Sequence, residues 1–89
     1  MKINGIAHVQ ITVNDFDACR AFYARLFELF EMKPIIDAPG VFYCIGGRTG
    51  YLVTPSAEEH RHATFEQRRI GLHHICLWPR EPAVHRGSV

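Results

Sequence analysis

The sequence predicts an α+β fold: one βαβββ module (a strand, a helix and three strands) followed by the first strand of a second module. The leading observation is an internal repeat, since the segment GIAHVQI at residues 5–11 returns as GLHHICL at residues 71–77. Between the two copies lie one stretch with a helical spacing of apolar residues and three short apolar runs. The interval from His8 to His74 is too long for a solenoid repeat and suits a supersecondary module.

Each copy of the repeat alternates apolar and polar residues, as a strand with one covered face does. Val9 and Ile11 fall on one face of the first copy and His8 on the other. In the second copy, His74 shares a face with Cys76. Both histidines are therefore expected on the more polar side of a sheet.

A helix is predicted from Asn14 or Asp15, because either side chain can cap the first turn, to about Phe30. Its apolar residues repeat at helical spacing and share one face: Cys19, Phe22, Tyr23, Leu26 and Phe30. That face is expected to pack on a sheet rather than to bind a cofactor.

Three short strands are predicted after the helix, at residues 35–37, 41–45 and 51–54. The break at Pro39-Gly40 predicts a turn, and the glycines of residues 46–50 suit a hairpin because glycine takes positive φ angles at little cost. Tyr43 and Tyr51 lie on these strands, either as core residues or as hydrogen-bond donors to a ligand.

A polar linker is expected over about residues 55–70. Ser56, with Glu59 three residues later, predicts a capping box that opens a short helix. Three further side chains are spaced four apart and could cluster on that helix: Glu58, His62 and Glu66. This spacing is more typical of a solvated face with salt bridges than of a ligand set.

Three segments together resemble the vicinal oxygen chelate superfamily, which includes glyoxalases, bleomycin-resistance proteins and extradiol dioxygenases. They are IAHVQITVND (residues 6–15), Ala21-Phe22-Tyr23 with Leu26, and GLHHI (residues 71–75). The likeness covers residues 3–78. In that family, two βαβββ modules pair into a cup around a divalent metal, and the first strand of each module supplies a histidine.

The resemblance implies His8 and His74 as metal ligands, with zinc, iron, manganese or nickel as the metal, and neutral imidazole is the commonest protein ligand for such ions. The family also places a carboxylate near the end of the first module's last strand, but residues 51–54 read YLVT. Glu31 stands where the family usually ends its helix with glycine, so a less sharp helix end is expected.

Three functions remain open. The first is a metal-dependent lyase or dioxygenase of the glyoxalase type, acting on a small oxygen-chelating substrate, with catalytic residues unassigned. The second is a metal-free small-molecule binding protein of the bleomycin-resistance type, which the missing carboxylate favours. The third is an inactive truncated remnant, which the absence of helical periodicity after Pro79 favours. In all three cases we expect a single, incomplete domain of the vicinal oxygen chelate type at residues 1–78 and an irregular or disordered tail at residues 79–89.

Other chemistries have weaker support. Neither serine lies in a G-x-S-x-G motif, and Cys76 is more typical of a small buried apolar residue than of a thiolate beside His74. Three cysteines without a C-x-x-C pair predict no disulfide framework and no thiolate zinc site, only reduced and mostly buried thiols. The arginines at 61, 68 and 69 predict a solvated face, or steering of an anionic substrate.

Composition sets the remaining limits. A chain of 89 residues with 47% apolar and 21% charged residues is typical of one small globular domain. The net charge of +1 gives no reason to expect nucleic acid or an anionic membrane as a partner. No apolar stretch is long enough to cross a bilayer and the start lacks signal-peptide character, so a cytoplasmic protein is expected.

A lone module leaves a sheet edge open, and we therefore expect a homodimer, with exchange of the strand at residues 71–78 as one route.

Overall fold

The computed structural model describes residues 1–80, which form one helix and a four-stranded sheet in the chain order β-α-β-β-β. The elements are β1 (His8–Val13), α1 (Phe16–Leu29), β2 (Lys33–Ala38), β3 (Val41–Gly46), β4 (Thr49–Pro55) and a short 3-10 helix (Glu58–His60). In the sheet the order is β1-β4-β3-β2, with β1 parallel to β4 and the other pairs antiparallel. The predicted α+β class and βαβββ module are confirmed.

Both ends of the helix follow from its terminal residues. The backbone N–H of Ala18 donates to Asp15 Oδ1 at 3.2 Å, so Asp15 is the cap that the sequence predicted. At the other end Glu31 takes a φ of 61°, and the N–H groups of Glu31 and Met32 donate to the carbonyls of Glu28 and Phe27, each at 2.9 Å. This pattern is a Schellman motif, and the helix ends sharply without glycine. The expectation of a less sharp end was wrong.

The helix face that packs on the sheet differs from the predicted one. Phe27 is 3% exposed and Tyr23 packs beside it, whereas Phe22 is 60% exposed and Phe30 is 42% exposed. The inward side of the helix is centred on Phe27, which the predicted face omitted, with Phe16 and Tyr23 packed beside it, and this leaves Phe22 facing outward. Arg20 forms an ion pair with Asp37 of β2 on the same side of the sheet.

That ion pair joins α1 to β2 beneath the helix. Arg20 donates through Nε to Asp37 Oδ1 at 2.8 Å and through Nη2 to Asp37 Oδ2, and its guanidinium lies 5.1 Å from the centre of the Phe42 ring. This bidentate hydrogen bonding lowers the pKa of the Asp37 carboxyl below its ordinary value of 3.8 and raises that of the arginine. The carboxylate is therefore ionised at neutral pH, and the charged pair links α1 to β2.

The hairpin between β3 and β4 is confirmed. Gly46 pairs with Thr49, and the two residues between them, Gly47 and Arg48, have φ angles of 59° and 71°. Positive φ at both central positions is the type I′ geometry, whose twist matches that of the flanking strands. The turn before it has Gly40 at a φ of 78°, as its Pro-Gly sequence predicted.

The two faces of the sheet have different surroundings. One face packs under α1 and forms the core with residues that are at most 8% exposed: Phe27, Phe42, Cys44, Tyr51 and Val53. The strand register places the alternate residues on the opposite side, which no helix of residues 1–80 covers and which we call the open face. Its residues include His8, Gln10, Thr12, Ile36, Tyr43, Ile45, Leu52 and Thr54.

The second copy of the repeat does not form the predicted strand. Residues 72–79 have no regular secondary structure, and they pair with no strand of residues 1–80. A strand is stable only when its backbone groups have partners, and the rest of a second module is not among these residues. The tail was predicted at residues 79–89. Residue 79 belongs to this irregular segment, and residues 81–89 lie outside the described residues.

The capping box was also wrong. The hydroxyl of Ser56 donates to Asn14 Oδ1 at 3.0 Å, and its N–H donates to the carbonyl of Val13 at 2.8 Å. Ser56 therefore extends the pairing of β4 with β1, and the 3-10 helix that follows has Ala57 as its cap without a side-chain hydrogen bond.

Candidate functional site on the open face

His8 is the first residue of β1 and lies on the open face, as its alternation predicted. Its neighbour in the sheet is Gly50, and the ring of Tyr43 lies across that glycine. The His8 and Tyr43 ring centres are 6.3 Å apart at an angle of 40°. A methyl group at position 50 would overlap the tyrosine ring, so this arrangement requires glycine there.

Hydrogen bonds hold the backbone on either side of His8. Gly50 donates through its N–H to the carbonyl of Ala7 at 2.8 Å, and Thr49 donates through its hydroxyl to the carbonyl of Ile6 at 2.9 Å. Further along the same pair of strands, Gln10 Nε2 donates to Thr54 Oγ1 at 3.1 Å. These contacts join β1 to β4 and fix the position of the imidazole on the open face.

A cleft of about 530 Å³ lies at the free edge of β1. Its lining comes from both copies of the repeat: Ile6, His8, Val9 and Gln10 from the first, and Leu72, His74, Ile75 and Cys76 from the second. Since residues from both faces of β1 line the cleft, it lies along the strand edge. The two predicted site histidines thus line the same cleft, and their role as ligands stays a prediction.

His74 has a partner that the sequence did not indicate. Its Nδ1 lies 2.6 Å from Nδ1 of His73, and the two rings are nearly perpendicular at 80°. One nitrogen must donate and the other accept, so this bond uses one ring nitrogen of His74. Its Nε2 is then the nitrogen left for a ligand.

The metal ligands that residues 1–80 bring together are too few for a catalytic metal site. Among residues 1–80 no three histidine, cysteine, aspartate or glutamate side chains lie together as a metal site would need. A catalytic zinc takes three protein ligands, and β4 carries no carboxylate. Glu66 lies 3.8 Å from Arg69 in an exposed ion pair, as the solvated-face interpretation of its segment predicted. Two imidazoles alone do not fit the metal, so we derive no catalytic step through one.

The cysteines are free thiols with different surroundings. Cys44 is 1% exposed in the core, and burial raises the pKa of its thiol. Cys19 is half-buried, whereas Cys76 is exposed at the cleft, so the expectation of mostly buried thiols was wrong for Cys76. Its exposure follows from the missing strand, because no sheet covers residues 72–79.

Two solved structures share this fold. A protein from Bacillus halodurans named as a putative glyoxalase superposes with a TM-score of 0.73 and 21% sequence identity, over 79% of this chain and 53% of its own. The lactoylglutathione lyase from Agrobacterium tumefaciens superposes with a TM-score of 0.51 and 24% identity, over 70% of this chain and 45% of its own.

The fold is that of a glyoxalase module. The resemblance that the sequence suggested is confirmed at this level. The chain spans about half the length of each of these two proteins. No protein-family model matches the sequence, and no curated protein matches it either. No helix within residues 1–80 is long and apolar enough to cross a membrane.

The structure separates two tyrosines that the sequence left equivalent. Tyr51 is 8% exposed in the core beneath the helix, whereas Tyr43 is half-buried on the open face beside His8. The two-residue turn of the β3–β4 hairpin was the signal that could have shown this. It makes Tyr43 and Gly50 diagonal neighbours on one face.

Proposed function

We propose that this chain supplies one half of a glyoxalase-type site. In it, the open face and the cleft at the edge of β1 hold a small oxygen-chelating molecule, and His8 and His74 are two imidazole ligands of a divalent metal. The observation that carries the proposal is that these residues, equivalent in the repeat, line one cleft of a chain with the glyoxalase fold.

The remaining ligand, a carboxylate, has to come from outside residues 1–80. A second copy of the chain, or a longer polypeptide, would supply it and would also cover the free edge of β1. Metal-dependent lyase or dioxygenase chemistry is in this proposal a property of the assembled site, with zinc, iron, manganese or nickel as the ion. A cytoplasmic homodimer is part of the same proposal, and light scattering together with cell fractionation checks it.

A metal titration tests the proposal. We expect isothermal titration calorimetry to show that Ni²⁺ or Zn²⁺ binds the purified protein. The affinity should fall at least about tenfold in both His8→Ala and His74→Ala, since each variant lacks one ligand. His60→Ala is the matched control, because His60 is exposed and 4.0 Å from Glu59, away from the cleft. Unchanged affinity in both cleft variants, with the far-UV circular dichroism intact, would contradict the proposal.

The second candidate is a metal-free binding protein of the bleomycin-resistance type. The observation that favours it is the absence of a carboxylate on β4, which leaves the open face without the usual ligand of the first module. Catechol and the methylglyoxal-glutathione hemithioacetal serve as probes in the presence of a chelator. Binding that persists under chelation and is insensitive to His74→Ala would favour this candidate over the metal site. If the wild type binds neither metal nor probe, the inactive truncated remnant is the function that remains.

A further inference from the structure

We infer that Tyr43 is a ligand-binding residue of the open face, whose hydroxyl donates a hydrogen bond to an oxygen of the bound molecule beside His8. The inference rests on the proposed function and adds the side chain that recognises the ligand. The first observation is that Tyr43 packs directly on Gly50, where any Cβ would overlap the tyrosine ring. The hydroxyl end of the ring occupies the space over this glycine, and the ring centre lies 6.3 Å from that of His8.

The hydroxyl of Tyr43 has no hydrogen-bond partner among residues 1–80. Gln10 and Thr54 on the same face bond to each other, whereas the imidazole of His8 beside Tyr43 has no hydrogen bond among these residues either. A half-buried tyrosine usually hydrogen-bonds through its hydroxyl, and on the open face its partner is water or a bound molecule. Tyr43 therefore has both the position and the free donor that a ligand contact needs.

The surroundings of the hydroxyl define the class of ligand. In the register, Tyr43 lies between Leu52 and Ile36, and Ile45 continues the same apolar strip. No acidic side chain lies on the open face of the described strands, and Lys33 lies on it opposite Ile45. An apolar surface with one hydroxyl donor, one imidazole and no carboxylate suits a small molecule with an apolar body and a neutral or anionic oxygen.

Catechol is a probe of this class, and a single-atom change tests the residue. Tyr43→Phe removes only the hydroxyl, so we expect the affinity for catechol, measured by calorimetry in chelator, to fall roughly fivefold to tenfold. Tyr23→Phe is the matched control, because Tyr23 undergoes the same change on α1, on the other side of the sheet. Its affinity should equal that of the wild type.

Gly50→Ala tests the packing that places the ring. It keeps the hydroxyl and displaces it, so catechol binding should fall as far as in Tyr43→Phe, while circular dichroism shows whether the sheet has formed. Equal affinity in Tyr43→Phe and the wild type overturns the assignment of Tyr43 and leaves the proposed function standing. A wild type that binds neither catechol nor the hemithioacetal, both in chelator and with added Zn²⁺, overturns both.

Discussion

Replacing Glu31 with glycine should stabilise the fold. Glu31 holds a left-handed φ of 61° at the end of α1, where glycine would have no steric penalty. For an L-residue that conformation costs about 1–2 kcal/mol, which glycine would relieve. Glycine also has greater freedom in the unfolded chain, and this reduces the gain in stability by about 0.4–1 kcal/mol. Removing the negative charge of Glu31 from the negative end of the helix increases the gain by about 0.3–1 kcal/mol.

From these terms we expect Glu31→Gly to raise the free energy of unfolding by about 1 kcal/mol, or about 4–8 °C in Tm for a domain of this size. Glu31 forms no ion pair with any residue in 1–80, so the change removes no visible contact. The assay is urea denaturation followed by far-UV circular dichroism, with the m-value checked for constancy.

Two companion variants separate the causes. Glu31→Gln removes the charge and keeps the strained backbone, so its gain should be a few tenths of a kcal/mol and should shrink in salt. Glu28→Gly makes the same substitution inside the helix, where it should cost about 1 kcal/mol. A Glu31→Gly protein no more stable than Glu31→Gln would refute the argument from backbone strain.

Three further predictions concern the core and the sheet. Gly50→Ala should lower the free energy of unfolding by about 1–3 kcal/mol in urea denaturation, because the added methyl overlaps the ring of Tyr43. Cys44 should react with iodoacetamide much more slowly than Cys76 near neutral pH, since burial both shields the Cys44 thiol and raises its pKa. Peptide mapping measures both reaction rates, and similar rates in the folded protein would count against the buried position of Cys44. The Asp37 carboxylate stabilises the fold above its ordinary pKa of 3.8, and this contribution is lost as pH falls through the lower pKa of the folded state. Asp37→Asn should therefore show a smaller loss of stability in urea melts between about pH 5 and pH 2, and an unchanged acid slope would argue against the ion pair.

The strands were predictable from sequence because each is bounded by residues with a strong local preference. Pro39-Gly40 and the glycines before Thr49 fix where β2, β3 and β4 turn, and Asp15 fixes where the helix begins. These signals act within a few residues of themselves. The module was therefore recoverable without any knowledge of the tertiary structure.

The helix face and the second strand needed information from outside the local sequence. Which side of α1 packs inward depends on which apolar residues meet the sheet, and the predicted face omitted Phe27, the buried residue of the helix. The segment around His74 alternates like a strand, but a strand also needs a partner for its backbone. The sequence named both cleft histidines, whereas only the register that pairs β3 with β4 places Tyr43 on the open face and Tyr51 in the core.

The placement of β1 in the sheet has a consequence for how the chain folds. Gln10 and Thr54, which bond across β1 and β4, are 44 residues apart, whereas the β3–β4 hairpin closes over a two-residue turn. Closing a long loop costs more entropy than closing a short one, so we expect the β2–β3–β4 meander to form before β1 docks against β4. His8 is part of β1, so we expect its imidazole to reach the position beside Tyr43 only in that last step, after β4 has been synthesised.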